Sequence, residues 1–232
     1  MSLPTVIIPG YLAGAAPYQG LEADLNQRGL WTTTVPLTRR SWLPTVGGRS
    51  VQPILMAIAT TVTQAQATTG SDRVNLVGHS AGGWLARIYL GDRPYDVHAP
   101  DRERTNRWSG HKHVNTLLTL GTPHVSQERW TRRNLDFVNQ TYPGAFHDSV
   151  NYVCVAGKAV LGQRWRTWFT YNSYQLTAGK GDCWGDGITP ITAAHLAGAQ
   201  NIVLDNVYHS PQPAIAWYGS PSVVEQWAKY LG

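Results

Sequence analysis

Residues 74–90 have the sequence VNLVGHSAGGWLARIYL, and this stretch decides the fold. Its first four residues form a short, largely apolar run of the kind that makes a buried strand. Glycine-rich residues 78–83 follow, and residues 84–90 then carry large apolar side chains at helical spacing. The sequence therefore predicts a strand that ends in a sharp glycine turn and continues directly into a helix.

Strands and helices alternate in the same way along the rest of the chain. Short apolar or β-branched runs predict further strands, and apolar residues at three- and four-residue intervals predict helices. The predicted strands lie at 5–8, 31–37, 114–120, 151–155 and 201–204, and the predicted helices lie at 16–29, 51–70 and 223–231. This alternation predicts an α/β fold with a mostly parallel sheet that is covered by helices on both faces.

The composition is that of a compact globular chain. Of the 232 residues, 42% are hydrophobic and only 14% are charged, which excludes a disordered or coiled-coil protein. We expect a single domain over residues 1–232, because a chain of this length buries one substantial core. Three insertions at strand ends interrupt the rhythm: an irregular excursion at 91–113, a short cap at 125–149, and a third stretch at 160–186.

Charge and cysteine content limit the classes of partner. Nineteen Lys and Arg against 14 Asp and Glu give a net charge of +5, spread along the chain, so we expect no nucleic-acid partner. Cys154 and Cys183 are too few for a metal site, and we expect two reduced thiols, with one disulfide as the alternative. No apolar run is long enough to span a bilayer and no signal peptide precedes the strand at 5–8, which favours a cytoplasmic protein.

The turn at residues 78–82 matches the pattern G-x-S-x-G. A strand before this pattern and a helix after it are the context that exposes a serine hydroxyl on a strained turn. Both glycines are needed because a side chain at either position would collide with the neighbouring strand and helix. Ser80 is therefore the predicted nucleophile, and the alternative is an ordinary serine in a strand-to-helix turn.

A serine hydroxyl needs a neighbouring base, and that base needs a third group to fix its tautomer. His209 is the predicted base, because it lies just beyond the last strand on a loop that can reach the nucleophile. The alternatives are His79, His124 and His195, which we expect to line the site or pack beside it.

The orienting acid should precede His209 in the chain. Asp186 is the predicted acid, because the Gly185-Asp186-Gly187 turn presents a carboxylate at a loop tip. Asp182 is the alternative. Asp205 lies only four residues before the base, and we expect it on the surface.

Two backbone amides are expected to bind the oxyanion of a tetrahedral intermediate. One is the amide of Ala81, the residue after the nucleophile. The other is the amide of Tyr11, because Gly10 in the loop after the first strand allows the backbone to approach closely. The alternative for this loop is a glycine-rich turn with no catalytic role.

With these residues in place, the sequence resembles the lipase-type α/β-hydrolases over nearly its whole length. Residues 9–11, PGY, resemble their His-Gly-aromatic oxyanion turn, with proline in place of a histidine that often braces the loop. Residues 120–124, LGTPH, resemble their Leu-Gly-Thr-Pro-His stretch, and residues 185–187 and 207–210 resemble their acid and base motifs. The excursion at 91–113 is similar to that of the small triacylglycerol-lipase-like hydrolases of cyanobacteria and plant plastids.

The resemblance implies the α/β-hydrolase fold and hydrolysis of acyl esters through an acyl-Ser80 intermediate. It implies a lipid or a small acyl ester as substrate, with neither a cofactor nor a metal. The alternatives on the same residues are a short-chain esterase, an acyltransferase, and a binding module that has the fold without turnover.

Aromatic and apolar side chains of the cap predict an apolar acyl groove, lined by Trp130, Leu135, Phe137, Val138, Tyr142 and Phe146. The residues expected to contact substrate are Tyr11, Leu12, His79, His124, Trp130 and Phe146. Arg129, Arg132 and Arg133 indicate a solvated helix face, with anionic headgroups as the alternative ligand. Residues 164–169, RWRTWF, favour packing beneath the mouth of the site, and the alternative is transient contact with a membrane surface.

Overall fold

The computed structural model describes residues 2–95, 97, 107–212 and 214–232, with the backbone alone for Trp130. The excursion predicted at 91–113 therefore lies partly outside the described residues.

A six-stranded parallel sheet forms the centre of the molecule. Its strands are β1 (Thr5–Ile8), β2 (Thr32–Thr34), β3 (Val74–His79), β4 (Val114–Leu120), β5 (Asn151–Lys158) and β8 (Gln200–Asp205). They lie in the order β2-β1-β3-β4-β5-β8, and every pair is parallel. Two short strands, β6 (Val160–Leu161) and β7 (Trp184–Gly185), form a separate antiparallel pair. The predicted parallel sheet is confirmed.

Helices connect the strands of the central sheet. The α-helices are α1 (Gln19–Gln27), α2 (Gln52–Thr69), α3 (Ala81–Leu90), α4 (Arg129–Thr141), α5 (Trp168–Ala178), α6 (Ile191–Ala194) and α7 (Pro221–Trp227). Short 3-10 segments lie at Ala16–Tyr18, Arg39–Thr45, Gly110–Lys112 and Ala228–Leu231. Among the described residues, no helix is long and apolar enough to cross a membrane.

Both faces of the sheet are buried under helices. In β1, Val6 and Ile8 pack in the cluster that contains α2 and α3, whereas Ile7 packs in the cluster that contains α1 and α7. Successive side chains of a strand point to opposite faces, so an unbroken apolar run such as that of β1 fits a strand buried on both sides. This burial is the main contribution that the sheet makes to folding.

The strand order reverses at β1, which lies between β2 and β3. Ligands of open α/β sheets bind beyond the carboxyl ends of the strands at such a reversal. The segments that follow β1 and β3, residues 9–12 and Ser80, consequently lie side by side at that edge.

Several boundaries differ from the predicted ones. β2 is shorter than the strand predicted at 31–37, and the chain leaves the sheet near Pro36, which has no amide hydrogen for the ladder. The insertions at 125–149 and 160–186 contain regular structure, namely α4 in the first and α5 with the β6–β7 pair in the second.

Candidate active site

Ser80 occupies a sharp turn between β3 and α3. Its φ of 51° and ψ of −122° are rarely adopted by residues with a side chain. A Cβ at Gly78 would lie 2.5 Å from Gly83 Cα, and one at Gly82 would overlap the carbonyl oxygen of Ile8. The two glycines are therefore required by contact with α3 and β1, as the sequence predicted, and Ser80 is half-buried at the carboxyl edge of the sheet.

Asp186 and His209 form a buried pair beside this turn. His209 Nδ1 lies 2.7 Å from Asp186 Oδ2, and the His209 amide donates to the Asp186 carbonyl oxygen at 3.0 Å. Because a carboxylate accepts the Nδ1 proton, the imidazole keeps Nε2 free as the acceptor. The structure thus brings together the predicted base and the predicted acid, which are 23 residues apart in the chain.

The Asp186 carboxylate accepts further hydrogen bonds. Its Oδ1 accepts from the amides of Ile188 at 2.9 Å and Thr189 at 2.7 Å, and its Oδ2 accepts from the Tyr218 hydroxyl at 2.8 Å. Burial raises the pKa of Tyr218 well above its usual value, so the phenol stays protonated and can donate. Four donors thus surround one buried carboxylate, which fixes its orientation toward the imidazole.

The other two candidate acids lie on the surface. Asp182 faces Lys180 at 4.0 Å, and Asp205 faces Lys158 at 3.5 Å, with both carboxylates mostly exposed. Neither contacts His209.

A chain of hydrogen bonds holds the turn after β1. The Gly10 amide donates to the Tyr18 hydroxyl at 2.9 Å, and that hydroxyl lies 2.7 Å from His79 Nδ1. His79 Nε2 in turn lies 2.8 Å from the carbonyl oxygen of His209. Burial lowers the pKa of His79 to about 3, so the ring is neutral, donates from Nε2, and accepts the Tyr18 proton at Nδ1.

Tyr18 and His79 thereby brace the loop that a histidine in place of Pro9 would otherwise brace. Sequence reasoning singled out neither Tyr18 nor Tyr218, because a tyrosine that supports a site from a distant segment has no fixed spacing to the motif.

The predicted oxyanion donors flank Ser80. A Cβ at Gly10 would lie 3.1 Å from Ser80 Cβ, which places the turn that carries Tyr11 directly against the serine. Ala81 is the first residue of α3, where an amide has no acceptor in a preceding helical turn. The Tyr11 ring packs edge-on against Trp42, with 5.1 Å between centroids.

Ser80 lines two cavities. The larger cavity, about 940 Å³, is lined by His79, Ser80 and His209 together with apolar side chains that include Leu12, Pro17, Leu37 and Ile188. The smaller cavity, about 230 Å³, lies against α3, α4 and α5. Its lining includes apolar Ala81, Trp84, Leu135 and Leu176 and polar Ser80, Ser126, Glu128, Thr131, Ser173, Thr177 and Thr189. Tyr11 and Ile188 line both. Ser80 and His209 thus share one cavity, although no hydrogen bond joins them among the described contacts; such bonds often form only when substrate binds.

Two of the predicted substrate contacts lie elsewhere. Phe146 packs on Tyr142, whose ring lies at Gly91, at the opposite end of α3 from Ser80. His124 is buried, with Nε2 3.4 Å from Thr119 Oγ1, and it lines neither cavity. Tyr11, Leu12 and His79 do line the larger cavity, and the side chain of Trp130 lies outside the described structure.

The cysteines and the arginines of the cap lie away from Ser80. Cys154 and Cys183 are free thiols. Arg129, Arg132 and Arg133 lie exposed on α4. Within the described ranges, no cluster of His, Cys, Asp and Glu side chains has the arrangement of a metal site.

One protein-family model matches part of the chain. A family model described as the PGAP1-like alpha/beta domain matches residues 48–144, a segment that includes Ser80 and Ala81. No protein with a curated description matches the chain.

Solved structures give a match over more of the chain. Phospholipase PlaB from Legionella pneumophila is 15% identical, with a TM-score of 0.58 over 92% of this chain and 54% of that protein. An alpha-beta serine hydrolase homologue from Coxiella burnetii is 10% identical, with a TM-score of 0.53 over 100% of this chain and 84% of that one. Aspergillus fumigatus lipase B is 15% identical, with a TM-score of 0.46 over 66% of this chain.

The chain spans 37% of the length of the Aspergillus lipase and about half that of the Legionella phospholipase. With its six-stranded parallel sheet, its covering helices and its similarity to the Legionella and Coxiella structures, the chain has the α/β-hydrolase fold.

Proposed function

We propose that the protein is a serine hydrolase that cleaves carboxylic esters. Ser80 is the nucleophile, His209 the general base, and Asp186 the residue that orients the base. The observation that carries this proposal is the buried Asp186–His209 pair, 2.7 Å apart, opening on the same cavity as a serine with strained backbone. A serine, a base and an orienting acid in this relation are the components of acyl transfer to a hydroxyl.

The reaction proceeds in two halves. Ser80 Oγ attacks the ester carbonyl carbon while His209 Nε2 takes its proton, and the carbonyl oxygen becomes an oxyanion that the Tyr11 and Ala81 amides bind. His209 returns the proton to the alcohol oxygen, the bond from carbon to that oxygen breaks, and the acyl group stays on Ser80. Water then attacks the acyl-Ser80 ester with His209 again as base, which releases the carboxylic acid and restores the serine.

A lipid ester is the substrate class that this site favours. The wall of the larger cavity consists mainly of apolar side chains, which would bind hydrocarbon with little polar recognition. The name of one structural neighbour, a phospholipase, agrees with that class. The similarity to small triacylglycerol-lipase-like hydrolases of cyanobacteria and plastids stays a prediction from the sequence.

Covalent labelling tests the nucleophile. A fluorophosphonate probe should label Ser80 in the folded protein, and Ser80→Ala should abolish labelling and lower kcat/KM on p-nitrophenyl esters by about 10⁴-fold or more. Ser222→Ala, on the exposed surface of α7, is the matched control and should keep both. Retention of full esterase activity in Ser80→Ala would refute the assignment.

We further propose that the protein contacts membranes through the start of α5. Trp165 and Phe169 are 90% and 83% exposed, contrary to the expected packing beneath the site, and Trp168 lies beside them at 57%. Exposed Arg164 and Arg166 flank these rings. Aromatic side chains beside cations suit the interface of an anionic bilayer.

This surface continues the wall of the site. Phe169, Ser173 and Leu176 lie at helical i, i+4 and i+7 positions, and Ser173 and Leu176 line the smaller cavity. A bilayer that meets the rings would therefore lie close to the entrance for a lipid.

Vesicle sedimentation tests the contact. Phosphatidylglycerol vesicles should bind the protein more tightly than phosphatidylcholine vesicles, and the double variant Trp165→Ala/Phe169→Ala should lose most of that binding. Met56→Ala, an exposed apolar residue on α2, should keep it. Equal binding by the double variant and the unmodified protein would refute the proposed surface.

A further inference from the structure

The two cavities at Ser80 differ in which catalytic neighbours they contain. His209 lines only the larger cavity, and Ala81 lines only the smaller one. Tyr11 and Ile188 line both, so their side chains lie at the boundary. An ester carbon bonded to Ser80 would therefore have one space on the side of the base and another on the side of the first turn of α3.

Proton transfer decides which half of the substrate enters which cavity. The oxygen of the departing alcohol must accept a proton from the His209 ring, so the alcohol has to lie on the side of the imidazole. The oxyanion points toward the Tyr11 and Ala81 amides. The remaining substituent of the carbon, the acyl chain, is left with the space beyond Ala81.

The volumes of the two spaces are very different. The smaller cavity measures about 230 Å³ and the larger about 940 Å³, so the larger has about four times the room for a substituent. Buried Trp84 and Leu135 form part of the wall of the smaller cavity, which limits its extension into the core.

We propose that the smaller cavity binds the acyl chain and the larger cavity binds the alcohol. The preferred substrate is then an ester of a short or medium acyl group with a large, mainly apolar alcohol. This inference rests on the proposed function, since it takes Ser80 and His209 as nucleophile and base. A substrate with a long acyl chain and a small alcohol would have its large and small halves in the wrong cavities.

A pair of isomeric esters tests the assignment. Dodecyl butanoate and butyl dodecanoate have the same atoms and differ only in which side of the ester carries the long chain. Dodecyl butanoate should be hydrolysed with a kcat/KM at least about tenfold higher. Equal rates, or a preference for butyl dodecanoate, would overturn the assignment. Failure of the proposed function would show separately, as absence of fluorophosphonate labelling at Ser80.

Two filling variants test the cavities one at a time. Leu176→Trp, at an exposed position in the smaller cavity, should lower kcat/KM for dodecyl octanoate relative to dodecyl acetate by about tenfold. Ala16→Trp, at an exposed position in the larger cavity, should instead lower kcat/KM for dodecyl acetate relative to ethyl acetate. The assignment is wrong if Leu176→Trp changes how kcat/KM depends on the length of the alcohol, or if Ala16→Trp changes how it depends on the length of the acyl chain.

Discussion

On one side of Ser80, the Asp186 carboxylate is buried and accepts hydrogen bonds from two amides, a phenol and the His209 ring. On the other side, the turn after β1 is held by separate bonds: the Gly10 amide donates to Tyr18, the Ala13 amide donates to the Gly10 carbonyl oxygen at 3.1 Å, and the Trp42 indole N–H donates to the Ala13 carbonyl oxygen at 2.8 Å. Within this turn Leu12 is 46% exposed with a φ of 57°. The Asp186 side holds a buried carboxylate that needs hydrogen-bond donors, whereas the turn after β1 presents amide dipoles to the serine.

His79 joins these two sides. Its ring contacts Tyr18 at one nitrogen and the His209 carbonyl oxygen at the other. Through Tyr18, His79 therefore connects the turn after β1 to the loop that contains His209. The two sides of Ser80 are therefore not independent, because one buried ring is hydrogen-bonded to both.

Replacement of the Asp186 carboxylate should have the largest effect on activity. Asp186→Asn should lower kcat/KM by about 10³- to 10⁴-fold, because an amide can hold the imidazole in the wrong tautomer and does not stabilise the imidazolium. Steady-state kinetics on a p-nitrophenyl ester measures this effect. Asp182→Asn and Asp205→Asn are the controls. A loss of similar size in either variant would show that this aspartate, and not Asp186, orients His209.

A smaller loss is expected from the phenol that supports the carboxylate. Tyr218→Phe removes one of the hydrogen bonds to Asp186 and leaves the Gly157 amide, which donates to the same hydroxyl at 2.7 Å, without its partner. We expect about a tenfold fall in kcat with KM nearly unchanged, because orientation and not binding is lost. Tyr230→Phe, far from the site in α7's 3-10 extension, is the matched control. A change confined to KM would contradict this positioning role.

The oxyanion side should respond more weakly to the same substitution. Tyr18→Phe leaves the Gly10 amide and His79 Nδ1 without their partner and loosens the turn, which should lower kcat by about fivefold. The comparison with Tyr218→Phe, made on one ester at one pH, ranks the two sides directly. A larger loss for Tyr18→Phe would show that the oxyanion turn is the more demanding half.

The smallest effect concerns the histidine that links the sides. His79 has a pKa of about 3 in the folded protein against 6.5 when exposed, so below pH 6.5 the unfolded chain binds the extra proton and stability falls as pH falls, down to about pH 3. From pH 7 to pH 6 this group should lower the free energy of unfolding by about 0.7 kcal/mol. Urea unfolding at both pH values measures it. His124, whose pKa burial also lowers, contributes with the same sign.

A folded His79→Asn variant is the control for that pH dependence. It should show a shallower fall of unfolding free energy between the two pH values. An unchanged slope would mean that His79 is not the group that takes up the proton.

The central strand, the glycine turn and the parallel sheet could be predicted because each depends on local chemistry. The largely apolar run before Gly78 is stable only when it is buried in the core. A Cβ at Gly78 or Gly82 would clash with backbone atoms of α3 or β1. The proximity of Asp186 and His209 follows from the order of loops at one edge of the sheet. These features are properties of short segments that topology then brings together.

Other parts of the site depend on contacts that no short segment specifies. Tyr18 and Tyr218 reach the site from outside the motifs, and nothing in their neighbours distinguishes them from packing tyrosines. Phe146 was predicted as a substrate contact from its place in the cap and its aromatic side chain, and neither specifies which end of α3 the ring packs against. The exposure of Trp165 likewise depends on where α5 begins relative to the rest of the chain.

The backbone of Ser80 has a consequence for how this fold changes over time. A side chain held at a φ of 51° and a ψ of −122° destabilises the native state by about 1–3 kcal/mol, a penalty that glycine would escape. Selection for folding alone would therefore favour glycine at position 80, whereas the reaction proposed above requires a serine there. A homologue that no longer needs the reaction is therefore expected to carry glycine at the position of Ser80, which would give three glycines in residues 78–82 and a larger free energy of unfolding.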